Sequence, residues 1–228
     1  MVIKETEVID ELNIANLKII QDNEGFKYGT DAVILSKFAN IKKNGKVLDL
    51  CSGSGIVPIL LCGLKEPKKV VGVEYFDHVC DMAKRSVSLN ELDGKIEMLN
   101  RDVKDYKEYI EAYSYDNVTV NPPYKVLNTG FENDNSYKTC ARHEKLVTLS
   151  DCVKASEYAL KFGGKLTMVN RIDRLSDAFY EFKLNKIEPK RILFVTDGTT
   201  PAKIFVIEGI KGGKSGMVME MYSDYVKK

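Results

Sequence analysis

Strand and helix alternate five times along this chain, and that alternation limits the possible folds more than any other feature. Lys46–Leu50, Val70–Glu74, Ile96–Leu99, Tyr115–Val120 and Lys165–Val169 are short runs with β-branched and apolar residues, which read as buried strands. Helical stretches over Ile56–Leu64, Asp77–Asn90, Lys104–Ala112, Leu146–Lys161 and Asp173–Lys183 separate and follow them, with Gly163-Gly164 expected to close the fourth. Two further runs, Ile192–Val195 and Ile204–Ile207, come together as a hairpin across Asp197-Gly198-Thr199-Thr200-Pro201. Repeated strand–helix units pack as a parallel sheet with helices on both faces. The expected fold is therefore α/β: a doubly wound, Rossmann-like sheet, mostly parallel, with a C-terminal antiparallel hairpin. One domain over residues 1–228 is expected, with residues 1–40 forming a hairpin and a helix that lead into the core. In that lead-in, Asn16–Gln21 pairs with Phe26–Tyr28 across Asp22–Gly25, and Thr30 or Asp31 caps a helix running to Ala39.

Composition bounds the function classes. A 44% hydrophobic and 29% charged chain of 228 residues is ordinary for a globular domain. The longest apolar run, Ile56–Leu64, contains Pro58 and Gly63 and is too short to cross a membrane. Met1–Glu7 carries no signal-peptide core, so a cytoplasmic location is expected. Five cysteines include no Cys-x-x-Cys pair, and the two histidines do not complete a zinc site, so the thiols are read as reduced packing groups and no metal is expected. Net charge is +1, yet Lys183–Lys214 holds seven basic residues against three acidic ones. Such a local excess is either a solvated surface or a polyanion footprint.

The first strand ends in Asp49-x-x-x-Gly53-x-Gly55, and the second ends in Glu74. Glycines let the backbone approach a ligand, and a carboxylate at the second strand's end can accept from ribose hydroxyls. A dinucleotide site wants a third small residue where Pro58 stands. Asp49 suits instead a ligand with positive charge and no phosphate, such as S-adenosylmethionine. Asp102, after the third strand, is placed to meet an adenine amino group.

The fourth strand runs into Asn121-Pro122-Pro123-Tyr124. The prolines stop the strand, because neither donates a backbone hydrogen bond. Alone, an Asn-Pro pair marks a turn. Here it stands at the carboxyl end of a strand, the edge where open α/β sheets bind ligands. The Asn121 side-chain carbonyl and the Pro122 carbonyl are acceptors that can hold both protons of one planar NH2 group. Held so, its nitrogen lone pair is drawn out of conjugation and becomes nucleophilic. Tyr124 offers a flat face to a base.

With these residues in view, the chain resembles the class I S-adenosylmethionine-dependent methyltransferases, and more narrowly the bacterial family that methylates N6 of adenine 37 in a valine tRNA. The segments carrying the resemblance are Phe26-Lys27-Tyr28-Gly29-Thr30-Asp31-Ala32-Val33, Val47–Gly55, Gly72-Val73-Glu74, Asn121–Tyr124, Ala141-Arg142-His143-Glu144 and Lys211-Gly212-Gly213. One departure is plain: Cys51 stands where the family's turn begins with glycine. The resemblance implies a Rossmann-like methyltransferase sheet and S-adenosyl-L-methionine as cofactor. It implies a cofactor set of Tyr28, Gly29, Thr30, Asp31, Asp49, Cys51, Gly53, Gly55, Glu74 and Asp102. Asn121, Pro122 and Tyr124 would carry the transfer. Arg142 and His143 would close over the site or meet RNA phosphate. From the local excess of charge, Lys190, Arg191, Lys203, Lys211 and Lys214 are expected to contact the phosphates of structured RNA, a tRNA. A monomer is expected.

Two other functions fit the same residues. Protein glutamine-N5 methylation uses the same tetrapeptide on a side-chain amide. A non-catalytic RNA-binding protein could keep the fold without the chemistry.

Overall fold

The computed structural model describes residues 2–25, 27–123, 146–196 and 200–220. Its centre is an eight-stranded sheet. The strands are β3 (Lys46–Leu50), β4 (Lys69–Glu74), β5 (Ile96–Asn100), β6 (Tyr115–Val120), β7 (Leu160–Arg171), β8 (Ile187–Val195), β9 (Ile204–Lys211) and β10 (Val218–Glu220). They lie in the order β10-β8-β9-β7-β6-β3-β4-β5. From β5 through β7 every neighbouring pair is parallel. β9 runs antiparallel to both β7 and β8, which is the expected hairpin. β10 adds a short parallel edge beside β8 that the sequence reading did not contain.

The helices are α1 (Thr30–Phe38), α2 (Ile56–Lys65), α3 (Asp77–Leu89), α4 (Tyr106–Tyr109), α5 (Leu149–Ala159) and α6 (Leu175–Leu184). Alternation along the strands sends side chains to two separate cores. Val47, Val70 and Val169 pack with Leu35, Leu60 and Ala83 of α1, α2 and α3. Leu48, Val71, Val118 and Leu166 pack on the other face with Val153 of α5 and Phe182 of α6. Both faces of the central strands are covered, which is why those strands read as nearly continuous apolar runs.

Four local expectations are corrected. The N-terminal hairpin pairs β1 (Glu7–Glu11) with β2 (Lys18–Asp22), so the partner lies upstream of residues 16–21 and not at 26–28. Asn13, Ala15 and Asn16 make that turn with φ of 51°, 50° and 56°, left-handed values that Asn tolerates better than most residues. The cap of α1 is Gly29, in extended backbone and without a side-chain cap, so neither Thr30 nor Asp31 serves. The helix at 104–112 shrinks to a 3-10 turn, Val103–Asp105, and the single turn of α4. The helix at 146–161 stops at Ala159, and Gly163-Gly164 lie inside β7. There Gly163 takes φ +78° where the β6–β7 register shifts, so the glycines accommodate a bulge and not a helix end.

Candidate active site

The parallel strands bring the ends of β3, β4, β5 and β6 to one edge of the sheet. A cleft with a cavity volume of about 120 Å3 opens there. Tyr28, Cys51, Gly53, Glu74, Asp102 and Asn121, all expected from the sequence, line it together. Ser52, Ser54, Tyr75, Phe76, Val103 and Pro123 line it too and were missed. Tyr75-Phe76 carried a readable signal, an aromatic pair directly after the carboxylate that ends the second strand.

The turn between β3 and α2 is left-handed at three residues: Cys51, Gly53 and Gly55 have φ of 60°, 55° and 81°. Glycine adopts these values freely, whereas a side chain there costs on the order of 1 kcal/mol. Cys51 carries that cost. Its Sγ sits 3.9 Å from the Cys152 Sγ in the first turn of α5. The facing thiol, with burial, holds the Cys51 thiol well above its ordinary pKa, so it stays protonated. Gly55 is the N-cap of α2 and lies against Ala83 of α3.

Glu74 fastens this turn to β4. Its Oε2 accepts from the Gly53 N–H at 2.9 Å and its Oε1 from the Phe76 N–H at 2.9 Å. Burial raises its pKa, and the N–H groups of Phe76, Gly53 and Tyr75 oppose that rise. A carboxylate has about four lone-pair sites, so these N–H groups leave acceptor capacity for a ligand in the cleft. Asp102 caps the following 3-10 turn, accepting from the Lys104 N–H at 2.9 Å.

Asp49 is placed differently. It is buried and is not among the cleft-lining residues. The Ser52 hydroxyl donates to its Oδ2 and the Thr119 hydroxyl to its Oδ1, each at 2.6 Å. Burial pushes its pKa up to about 7, helped by the nearby Glu74 charge and opposed by the two hydroxyls. It supports the turn from beneath.

At the end of β6, Asn121 and Pro123 face the cleft, and the Asn121 Nδ2 lies 3.5 Å from the Asp31 Oδ2 in the first turn of α1. Gly29 and exposed Thr30 precede Asp31 and do not line the cleft. Tyr124, Arg142 and His143 lie outside the described residues.

Residues 23–187 match the family described as the methyltransferase small domain. The chain belongs to that family. It is an S-adenosylmethionine-dependent methyltransferase. Among curated proteins it resembles the tRNA1(Val) (adenine(37)-N6)-methyltransferase of Bacteroides fragilis, 24% identical over 184 residues, which span 80% of this chain and 76% of that protein. The enzyme of the same name from Histophilus somni is 26% identical over 160 residues, 70% of this chain and 66% of that one. Among solved structures, P. horikoshii TYW2 in complex with MeSAdo is similar at TM-score 0.66 and 14% identity, covering 92% of this chain and 73% of that chain. Geranyl diphosphate C-methyltransferase from Streptomyces coelicolor A3(2), in complex with S-adenosyl-L-homocysteine, is similar at 0.59 and 11%, covering 80% and 77%. These structural likenesses show the shared fold.

The methyltransferase's cleft suits its cofactor in kind. It offers a buried carboxylate at the end of β4, a glycine backbone open to close approach, aromatic Tyr75 and Phe76, and apolar Ile56, Val73 and Val103.

The basic residues expected to meet RNA divide into two kinds. Lys203 is exposed just before β9, at the edge of the sheet where β7 ends. Lys190 reaches the Lys214 carbonyl at 3.0 Å, and neither it nor Arg191 lines the cleft. Arg191 is tied into the fold. It donates to Glu208 at 2.8 Å and to the Phe38 carbonyl at 3.3 Å, pairs with Glu220, and stacks on the Phe38 ring at 4.2 Å. Lys211 is buried, with its ammonium on the Leu160 carbonyl at 3.0 Å and on Glu157 at 2.9 Å. Among the described residues no helix is long and apolar enough to cross a membrane, and no cluster of His, Cys, Asp or Glu is placed to hold a metal.

Proposed function

We propose that this methyltransferase transfers a methyl group to N6 of an adenine in tRNA, at position 37 of a valine tRNA anticodon loop. The observation that carries the reading is that Asn121 and Pro123, on either side of buried Pro122, line the same cleft as Glu74 and Asp102. An amine gripped at the end of β6 thereby faces a ligand held at the ends of β3 to β5. The names of the similar curated proteins, tRNA1(Val) (adenine(37)-N6)-methyltransferases, support adenine as the base and tRNA as its carrier.

In this reading Glu74 holds the ribose hydroxyls of the cofactor, Tyr75 and Phe76 flank its adenine, and the Gly53 backbone lies close to it. Bound there, S-adenosylmethionine supplies a methyl group on a sulfonium, whose sulfur keeps the bonding pair when a nitrogen attacks the carbon. Asn121 and Pro122 do the rest through their carbonyls. Each accepts one N6 proton, which turns the lone pair toward the methyl carbon. These acceptors act most strongly as positive charge develops on the nitrogen, so they favour the transition state over the bound amine. The surplus proton leaves the nitrogen for water. Tyr124 stacks on the target base once it has left its neighbours, a step made easier in an anticodon loop whose bases are partly unpaired.

The test is direct. The protein is incubated with methyl-labelled cofactor and bulk bacterial tRNA, and the RNA is digested to nucleosides. N6-methyladenosine is the expected labelled product. Label confined to another nucleoside, or appearing only on a peptide glutamine, contradicts the proposal.

A further inference from the structure

We infer that Asp31 is a positioning residue that fixes which way the Asn121 amide points; the inference rests on the amine-methylation reading above. An asparagine amide is nearly symmetric in shape, with an acceptor on one side and two donors on the other. Only the carbonyl can accept a proton from the target amine. Flipped, the side chain would set its own N–H groups against the amine's N–H groups. Some partner must therefore break the symmetry.

Asp31 is built to do so. An ionised carboxylate only accepts, so the group facing it must be the amide NH2. The Asp31 Oδ2 lies 3.5 Å from the Asn121 Nδ2, across 90 residues of sequence. The other oxygen, Oδ1, accepts from the Ala32 N–H at 2.9 Å. That bond pins the carboxylate at the positive end of α1, where negative charge is favoured. Gly29 completes the arrangement: a Cβ there would stand 2.6 Å from the Asp31 Oδ1. The backbone at Gly29 is extended, so what the glycine provides is room for the carboxylate and not special dihedral angles. The Gly29-Thr30-Asp31 triplet thus acquires a physical reason. The Asp31–Asn121 contact is long at 3.5 Å, and catalytic hydrogen bonds commonly tighten when the reacting group binds.

This places Asp31 behind Asn121, whereas the family resemblance puts it among the cofactor-binding residues. The two roles separate experimentally. Asp31→Ala, Asp31→Asn, Asn121→Ala and the Asp31→Ala/Asn121→Ala double variant are assayed on a valine tRNA transcript, with calorimetry for S-adenosylmethionine affinity. We expect Asp31→Ala to lower kcat about tenfold or more, with KM for tRNA and cofactor Kd within about twofold of wild type. Asp31→Asn, which keeps its size and one acceptor, should retain an intermediate kcat and serves where the alanine lowers Tm. In the Asn121→Ala background the Asp31→Ala loss should vanish, because Asp31 acts only through Asn121. The inference is overturned if Asp31→Ala raises cofactor Kd about tenfold while kcat at saturation holds. It is equally overturned if the two losses multiply independently. A wild-type protein that leaves the transcript unmethylated sinks the tRNA reading instead. The same variants are then assayed on a glutamine-bearing peptide, with the same expected and overturning patterns.

Discussion

The carboxylate of Glu74 spans from the end of β4 to the Gly53 N–H, 2.9 Å away, and so ties the second strand to the glycine turn after the first. The same group lines the cleft. A carboxylate that both holds the turn and lines the cleft is sensitive to a change of one atom. Glu74→Gln keeps one acceptor and loses the charge. Hydrogen bonds to a charged group contribute roughly 1.5–3 kcal/mol. Calorimetry should show S-adenosylmethionine Kd rising about tenfold or more. An unchanged Kd would show that the ribose is held elsewhere.

Asp49 gives a pH signature in stability. Its pKa is near 7 in the folded protein because it is buried, against an ordinary carboxylate value near 4 when unfolded. Between those values the folded state binds the proton and the unfolded state does not. Stability from this group is therefore full below about pH 4 and falls as pH rises through 7, by an amount on the order of 2–4 kcal/mol. Asp49→Asn keeps the shape and cannot ionise. In urea unfolding, the variant should gain on wild type between pH 5 and pH 8. A difference that stays constant over that range would mean Asp49 is ionised throughout.

Arg191 and Lys203 should respond oppositely to charge reversal. Arg191→Glu would set a third carboxylate beside Glu208, whose side chain is only 2% exposed, and beside Glu220. Breaking such a buried pair costs about 3–5 kcal/mol, which would appear as a lower urea midpoint. Lys203→Glu, at an exposed position, should leave stability within about 0.5 kcal/mol. It should weaken tRNA binding and reduce the salt slope by about one. A stable Arg191→Glu with weakened RNA binding would reverse these assignments.

Much of the fold was legible because the signals were local. Val70–Val73 carries apolar side chains on both faces and is buried throughout, as a sheet covered on both sides requires. The cleft residues Glu74, Asp102 and Asn121 were legible because each ends a strand, and parallel strands must end together. What the sequence hid was non-local. Nothing near Arg191 announces Glu208 and Phe38, so an ion-paired arginine read as a free basic residue. Nothing near Asp49 announces Thr119, the hydroxyl that helps bury it, so Asp49 read as a ligand group. Gly163-Gly164 were ambiguous because a helix end and a bulge both use a left-handed glycine. Only pairing of Leu160 with Tyr115 decides between them.

Asn121→Ala isolates the transfer step. Asn121 lines the cleft just past β6, while the Glu74 carboxylate reaches it from β4. Loss of an acceptor that works in the transition state costs on the order of 3 kcal/mol, or about 100-fold in rate. Turnover should fall by that factor while cofactor Kd holds. Turnover within a few-fold of wild type would mean Asn121 does not aim the nucleophile.

The central claim is that the accepting atom is the exocyclic amine of one tRNA adenine. It is tested most directly by labelled methyl transfer to two valine tRNA transcripts that differ only at position 37, one with adenine and one with purine, which lacks the amine. The adenine transcript should take up label, recovered as N6-methyladenosine, and the purine transcript should take up none. Equal labelling of both transcripts, or of neither, would contradict the claim.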